Sequence, residues 1–172
     1  MALVFALVHN IQQFKGRSPE DLLRLFGPSP LLPIDIEGLA HLISIKVERM
    51  AGMKWDGIIF RQGPAIYVAK ERSPERQRFT IAHGIGHLLL HKGEEYREDF
   101  LTISEEEREA NRFAIDLLMP QYRVMNYVGY PVKEIAERFG VSIATMKYRL
   151  NELGYYCPVS AFERLAEEEF LG

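Results

Sequence analysis

Arg78-Phe79-Thr80-Ile81-Ala82-His83-Gly84-Ile85-Gly86-His87-Leu88-Leu89-Leu90-His91 is the stretch on which the fold turns. Just upstream, Ser73-Pro74-Glu75 supplies a serine N-cap and a proline at the first helical position, so the whole run reads as one helix. Within it, Ile81, Ala82, Ile85, Leu88 and Leu89 are the predicted core contacts. His83 and His87 stand four residues apart, which puts both rings on one helix face a turn apart. Two imidazoles so placed can grip one divalent ion. In the H-E-x-x-H pattern a glutamate follows the first histidine and acts as general base toward water. Here position 84 is glycine, so the ligands of a hydrolytic metal site are present without its base.

A second helix strengthens the metal reading. Ser104 and Glu107 have capping-box spacing, and Ala110, Phe113, Ala114, Leu117 and Leu118 follow a 3.6-residue period up to Pro120. Docked on the first helix, it can contribute a carboxylate and complete a His-His-Glu set with one position left open, the arrangement of catalytic zinc. His91 is not the third ligand on this reading. It lies eight residues beyond His83, about 12 Å along the axis, too far for one ion to bridge. Its expected role is at the helix C-terminus, where partial positive charge suits the dipole.

The two blocks, Arg-Phe-Thr-Ile-Ala-His-x-x-Gly-His-Leu-Leu-Leu-His and Glu-Ala-Asn-Arg-Phe-Ala-x-x-Leu-Leu-Met-Pro, together resemble the ImmA/IrrE family of zinc metallopeptidases, over about Leu32 to Gly154. The resemblance implies an α+β, zincin-like fold with a small sheet beside the active-site helix. It implies one zinc ion held by His83, His87 and Glu109, with the base expected at position 84. Glu107 competes with Glu109 for the ion, but the capping box gives it other work. Asn111 is expected to orient a ligand from behind. Members of the family typically cleave helix-turn-helix repressors, so the implied partner is a regulatory protein of that kind.

Gly84 limits what the resemblance carries over. A positioned general base contributes roughly 10²–10⁴-fold, so its loss should spare metal binding and nearly abolish hydrolysis. Glycine inside a helix also costs about 1 kcal/mol relative to alanine, and nothing in the sequence asks for it. Two alternatives stand beside a disabled peptidase: a metal-containing module that binds a protein without cutting it, and a DNA-binding regulator.

Composition sets the outer bounds. In 172 residues, 47% hydrophobic and 26% charged with net charge −3, there is room for one good core plus a small helical appendage, and no footprint for bulk phosphate or a membrane surface. One cysteine, Cys157, excludes an internal disulfide and suits a reducing cytoplasm. The apolar start Met1–Val8 lacks a basic flank and is followed too soon by His9, Gln12 and Lys15 for a membrane span, so it reads as a packed helix or strand.

The remaining elements follow in chain order. Ser18-Pro19-Glu20-Asp21 starts a helix that stops near Gly27, and the Pro-rich piece 27–30 reads as a linker, making residues 1–32 an N-terminal extension. From Asp35 a short amphipathic helix is predicted; Ile45–Glu48 reads as a strand, and 57–60 with 65–69 as a hairpin. Arg76 and Arg78 are read as a solvated face paired with Glu71 or Glu75. The peptidase-like domain spans 33–126. Residues 127–172 carry a helix-turn-helix pattern over Pro131–Gly154, in which Thr145, Lys147, Tyr148 and Arg149 would face a major groove. Charge argues against that, since Pro131–Gly172 holds five Lys/Arg against seven Asp/Glu. A structural or protein-binding use is preferred, and a last acidic helix is predicted from Ser160.

Overall fold

The computed structural model describes residues 10–27, 30–92, 96–97 and 104–157. The readings of Met1–Val8 as a packed element, of 27–30 as a linker in part, of most of the acidic loop after Lys92 and of the helix from Ser160 fall outside those residues.

The predicted helix starts are made by their predicted caps. Helix α1 (Pro19–Leu23) has the reciprocal Ser18–Asp21 capping box with proline in its first turn, and its path ends through a short 3₁₀ turn at Gly27, whose φ is 90°. Helix α2 (Ile36–Leu42) is capped by Asp35, which accepts from Gly38 N–H. Such caps contribute about 1 kcal/mol each.

Three longer strands and one short one form a four-stranded sheet: β1 (Lys46–Met50), β2 (Gly57–Phe60), β3 (Ala65–Ala69) and β4 (Tyr96–Arg97), in the order β1-β3-β2-β4. The predicted hairpin is β2 antiparallel to β3, with Gly57 opposite Val68. β1 lies parallel to β3, Lys46 opposite Ala65, and β4 pairs antiparallel with β2.

Helix α3 (Pro74–Leu90) runs through the middle, with Ser73 Oγ accepting from Arg76 N–H at its start. From Phe79 to Leu89 every residue is buried. A helix buried all round needs cover on every side. Helix α4 (Glu105–Leu118) supplies it on one side, β2 and β3 on another, and α2 on a third. Burying side chains such as Ile81, Ile85, Leu88 and Leu89 stabilises by about 1.5–3 kcal/mol each.

Two glycines let the neighbours come this close. A Cβ on Gly86 would lie 3.2 Å from Phe113 Cβ and 3.3 Å from the Ala110 Cα, on the α4 side. A Cβ on Gly84 would lie 2.9 Å from Ile66 Cδ1 and 3.2 Å from its Cγ2, on the sheet side. Nothing in the sequence gives a folding reason for Gly84, and the neighbour it admits closely is the flexible end of the Ile66 side chain. The fully buried Ile66 of β3 would have to shift the end of its side chain for a Cβ at 84.

Arg76 and Arg78 are not the solvated face expected of them. Arg76 pairs with the buried Asp56, and Arg78 donates to Ile34 O at 2.8 Å and Gly140 O at 3.1 Å. The latter ties the residues before α2 to the C-terminal part.

After a short α5 (Gln121–Val124), α6 (Val132–Phe139) ends at Gly140 with a left-handed φ of 64°, and α7 (Ile143–Glu152) starts from Ser142. Ile135, Phe139, Met146 and Leu150 join the same apolar cluster as Leu22, Ile66 and Ile85, so the core continues across the sequence divisions at 32 and 126. Arg149, named for a groove, is 2% exposed, donating to Met119 O and pairing with Asp116 and Glu152. Thr145 is buried with its hydroxyl against Ser142 Oγ. Two of the four side chains named for DNA thus face inward. Among the described residues no helix is long and apolar enough to cross a membrane.

Candidate metal centre

The helical spacing does what the sequence promised for the two histidines. His83 and His87, both fully or nearly fully buried, turn their Nε2 atoms toward each other at 2.9 Å. The third group comes from the first turn of α4. Glu107 sets one carboxylate oxygen 3.3 Å from His83 Nε2 and the other 3.0 Å from His87 Nε2. One ligand atom from each of the three lies within 4.8 Å of the others.

Glu109, expected as the third ligand, is elsewhere. Its side chain is 54% exposed and its Oε2 meets His91 Nε2 at 2.8 Å. The reason is helical phase: Glu107 and Asn111 are four residues apart and share a face, whereas Glu109 is turned about 200° from Glu107. Ser104 Oγ accepts from the Glu107 backbone N–H at 3.2 Å. That half of the cap uses only main chain, so it leaves the Glu107 carboxylate free to turn inward. The signal was present in the sequence, since a residue at 111 that orients His83 implies a ligand at 107.

Asn111 does lie behind His83. Its Oδ1 is 2.7 Å from His83 Nδ1. An amide oxygen only accepts, so this contact is a hydrogen bond in the Nδ1-protonated tautomer, which leaves the Nε2 lone pair facing the site. On the other ligand, His87 Nδ1 is 3.0 Å from His91 Nδ1. His91 is buried and its own backbone N–H donates to His87 O. Arg61, from the β2–β3 loop, donates to His87 O at 2.8 Å and His91 O at 2.9 Å, closing the end of α3. His91 is thus attached to His87, which goes beyond the end-of-helix role expected for it.

The electrostatics suit a cation. Burial pushes the His87 imidazole below its ordinary range, opposed by the Glu107 carboxylate beside it. Burial thus favours the neutral ring, the form that a metal takes as ligand. Two imidazole nitrogens and one carboxylate are borderline-soft and hard donors that could hold a metal ion. At position 84, where a base would reach water, there is a glycine hydrogen and then Ile66.

Residues 40–151 match the family profile described as the IrrE N-terminal-like domain. The radiation response metalloprotease IrrE of Deinococcus radiodurans is 31% identical over 110 residues, covering 56% of this chain and 34% of that protein. A solved Mycobacterium tuberculosis transcriptional regulator superposes with a TM-score of 0.53 at 18% identity, covering 77% of this chain and 46% of that one. At that identity the likeness is one of fold. The chain spans less than half the length of each of these two proteins.

Proposed function

Since the chain belongs to the IrrE N-terminal-like family of metallopeptidases, we propose that it is a zinc-binding member that recognises a regulatory protein and lacks the base for cutting it. One observation carries this reading. His83 Nε2, His87 Nε2 and the Glu107 carboxylate converge, while position 84 offers no side chain.

His83, His87 and Glu107 would hold the ion, and Asn111 would keep His83 in the tautomer that presents Nε2. When bound, zinc supplies a Lewis acid for a carbonyl oxygen and acidifies water. An ordinary site of this kind also has a carboxylate that takes the proton from water and passes it to the leaving amine. With Gly84 that proton has no acceptor on the helix. The partner by family likeness is a helix-turn-helix repressor. The buried Thr145 and Arg149, with the acidic balance of the C-terminal part, favour protein recognition over DNA.

The test is to incubate zinc-loaded protein and its Gly84→Glu variant with such repressors and follow both association and cleavage. Association without cleavage by the native chain, with cleavage gained by the variant, is expected. Efficient cleavage by the native chain would overturn the loss of the base. Salt-sensitive, sequence-specific duplex binding would favour a DNA regulator instead.

A further inference from the structure

We propose that His91 and Glu109 are positioning residues for the ion, forming a buried-to-surface relay that fixes the orientation and tautomer of His87. The inference rests on the metal-binding reading above and adds to it two residues that touch no ligand atom of the site.

Its basis is one consistent placement of protons. If His87 presents Nε2 to the site, its ring proton is on Nδ1, and the group facing that proton is His91 Nδ1 at 3.0 Å. His91 must then accept at Nδ1 and carry its own proton on Nε2. There it meets Glu109 Oε2 at 2.8 Å, which can only accept. Every nitrogen along Glu109–His91–His87 then has one role, and the chain ends with a lone pair aimed at the centre. The other ligand is arranged the same way in a shorter form, with Asn111 in place of the relay.

The positions of the three residues suit this role. His91 is 6% exposed and is clamped by its backbone, through its own N–H to His87 O and through Arg61 to its carbonyl. Its ring stacks edge-on to that of His87, centroids 5.0 Å apart. Glu109 is more than half exposed, so its ion pair adds little to the stability of the fold. Its effect is instead to hold the His91 proton on Nε2. A carboxylate behind a ligating imidazole raises the basicity of the ring and limits its rotation, and losing such a partner typically costs about 10–100-fold in metal affinity.

The experiment uses the full chain and measures zinc affinity by competition with a chromophoric chelator, together with the d–d absorption of the cobalt(II) form. His91→Leu removes the acceptor and is expected to weaken zinc by roughly 10–100-fold and alter the cobalt bands. His91→Asn keeps an acceptor oxygen where Nδ1 stands and is expected to recover most of the affinity and the native spectrum. Glu109→Ala, at an exposed position, is expected to lose about tenfold in affinity while the metal-free protein melts as the native one does. Native affinity and spectrum in both His91→Leu and Glu109→Ala would overturn the relay. If His91→Leu does not fold, Glu109→Ala alone decides. A native chain that takes up no zinc would contradict the metal reading itself.

Discussion

The two sides of α3 that meet at the histidine pair have diverged. On the α4 side, Gly86 lets Ala110 and Phe113 approach, and the residues in register with that contact, Glu107 and Asn111, reach His83 and His87. On the sheet side, Gly84 lets Ile66 approach, and an aliphatic side chain lies where a Cβ at 84 would be. One face brings together His83, His87 and Glu107, which could hold a metal ion, and the other sets the Ile66 side chain against Gly84. Metal binding and proton transfer are therefore separable in this fold, because they depend on different neighbours of the same helix.

The largest effect should come from the sheet side. Gly84→Glu combined with Ile66→Ala is expected to raise peptide hydrolysis by the zinc form roughly 10²–10⁴-fold over the native chain. Gly84→Glu alone should gain less, because its carboxylate must displace Ile66. Fluorogenic peptide turnover checks this, and no gain in the double variant would break the comparison.

On the α4 side, zinc at a hundred times its dissociation constant should stabilise the fold by about 2.7 kcal/mol in denaturant titrations, a gain that a chelator removes. No change on adding zinc would mean that the buried groups do not act together on an ion.

The glycines themselves give a finer test. Gly86→Ala meets a Cα and a Cβ, which cannot move without their helix, and is expected to cost about 2 kcal/mol. Gly84→Ala meets the Ile66 side chain, and the helix propensity gained offsets part of the crowding, leaving a loss of about 1 kcal/mol. Ile66→Val, which removes Cδ1 but keeps the two γ carbons, should recover part of the Gly84→Ala loss and leave that of Gly86→Ala unchanged. Thermal melts of the double-mutant cycle read the difference.

Much of this was legible in the sequence, because short-range chemistry fixes it. Serine caps with proline beside them marked the starts of α1 and α3, β-branched and aromatic residues marked β2 and β3, and Gly140 marked the end of α6. The His83–His87 pair followed from helical spacing alone. What the sequence concealed depended on helical phase and on long-range packing. Glu107 was set aside because its spacing from Ser104 matched a cap, although the cap engages its backbone and not its carboxylate. Gly84 looked unmotivated because the side chain it admits closely, Ile66, lies on a strand distant in sequence. Arg149 looked like a surface residue because no local pattern reveals Asp116 and Met119 O waiting for it.

The most direct measurement is the zinc dissociation constant of the native chain beside those of Glu107→Ala and Glu109→Gln. One ion per chain is predicted, with affinity lowered by more than about 100-fold in Glu107→Ala, beyond what an outer partner costs, and by no more than about tenfold in Glu109→Gln. Loss of zinc in Glu109→Gln with retention in Glu107→Ala would contradict the placement of the ion between α3 and the first turn of α4.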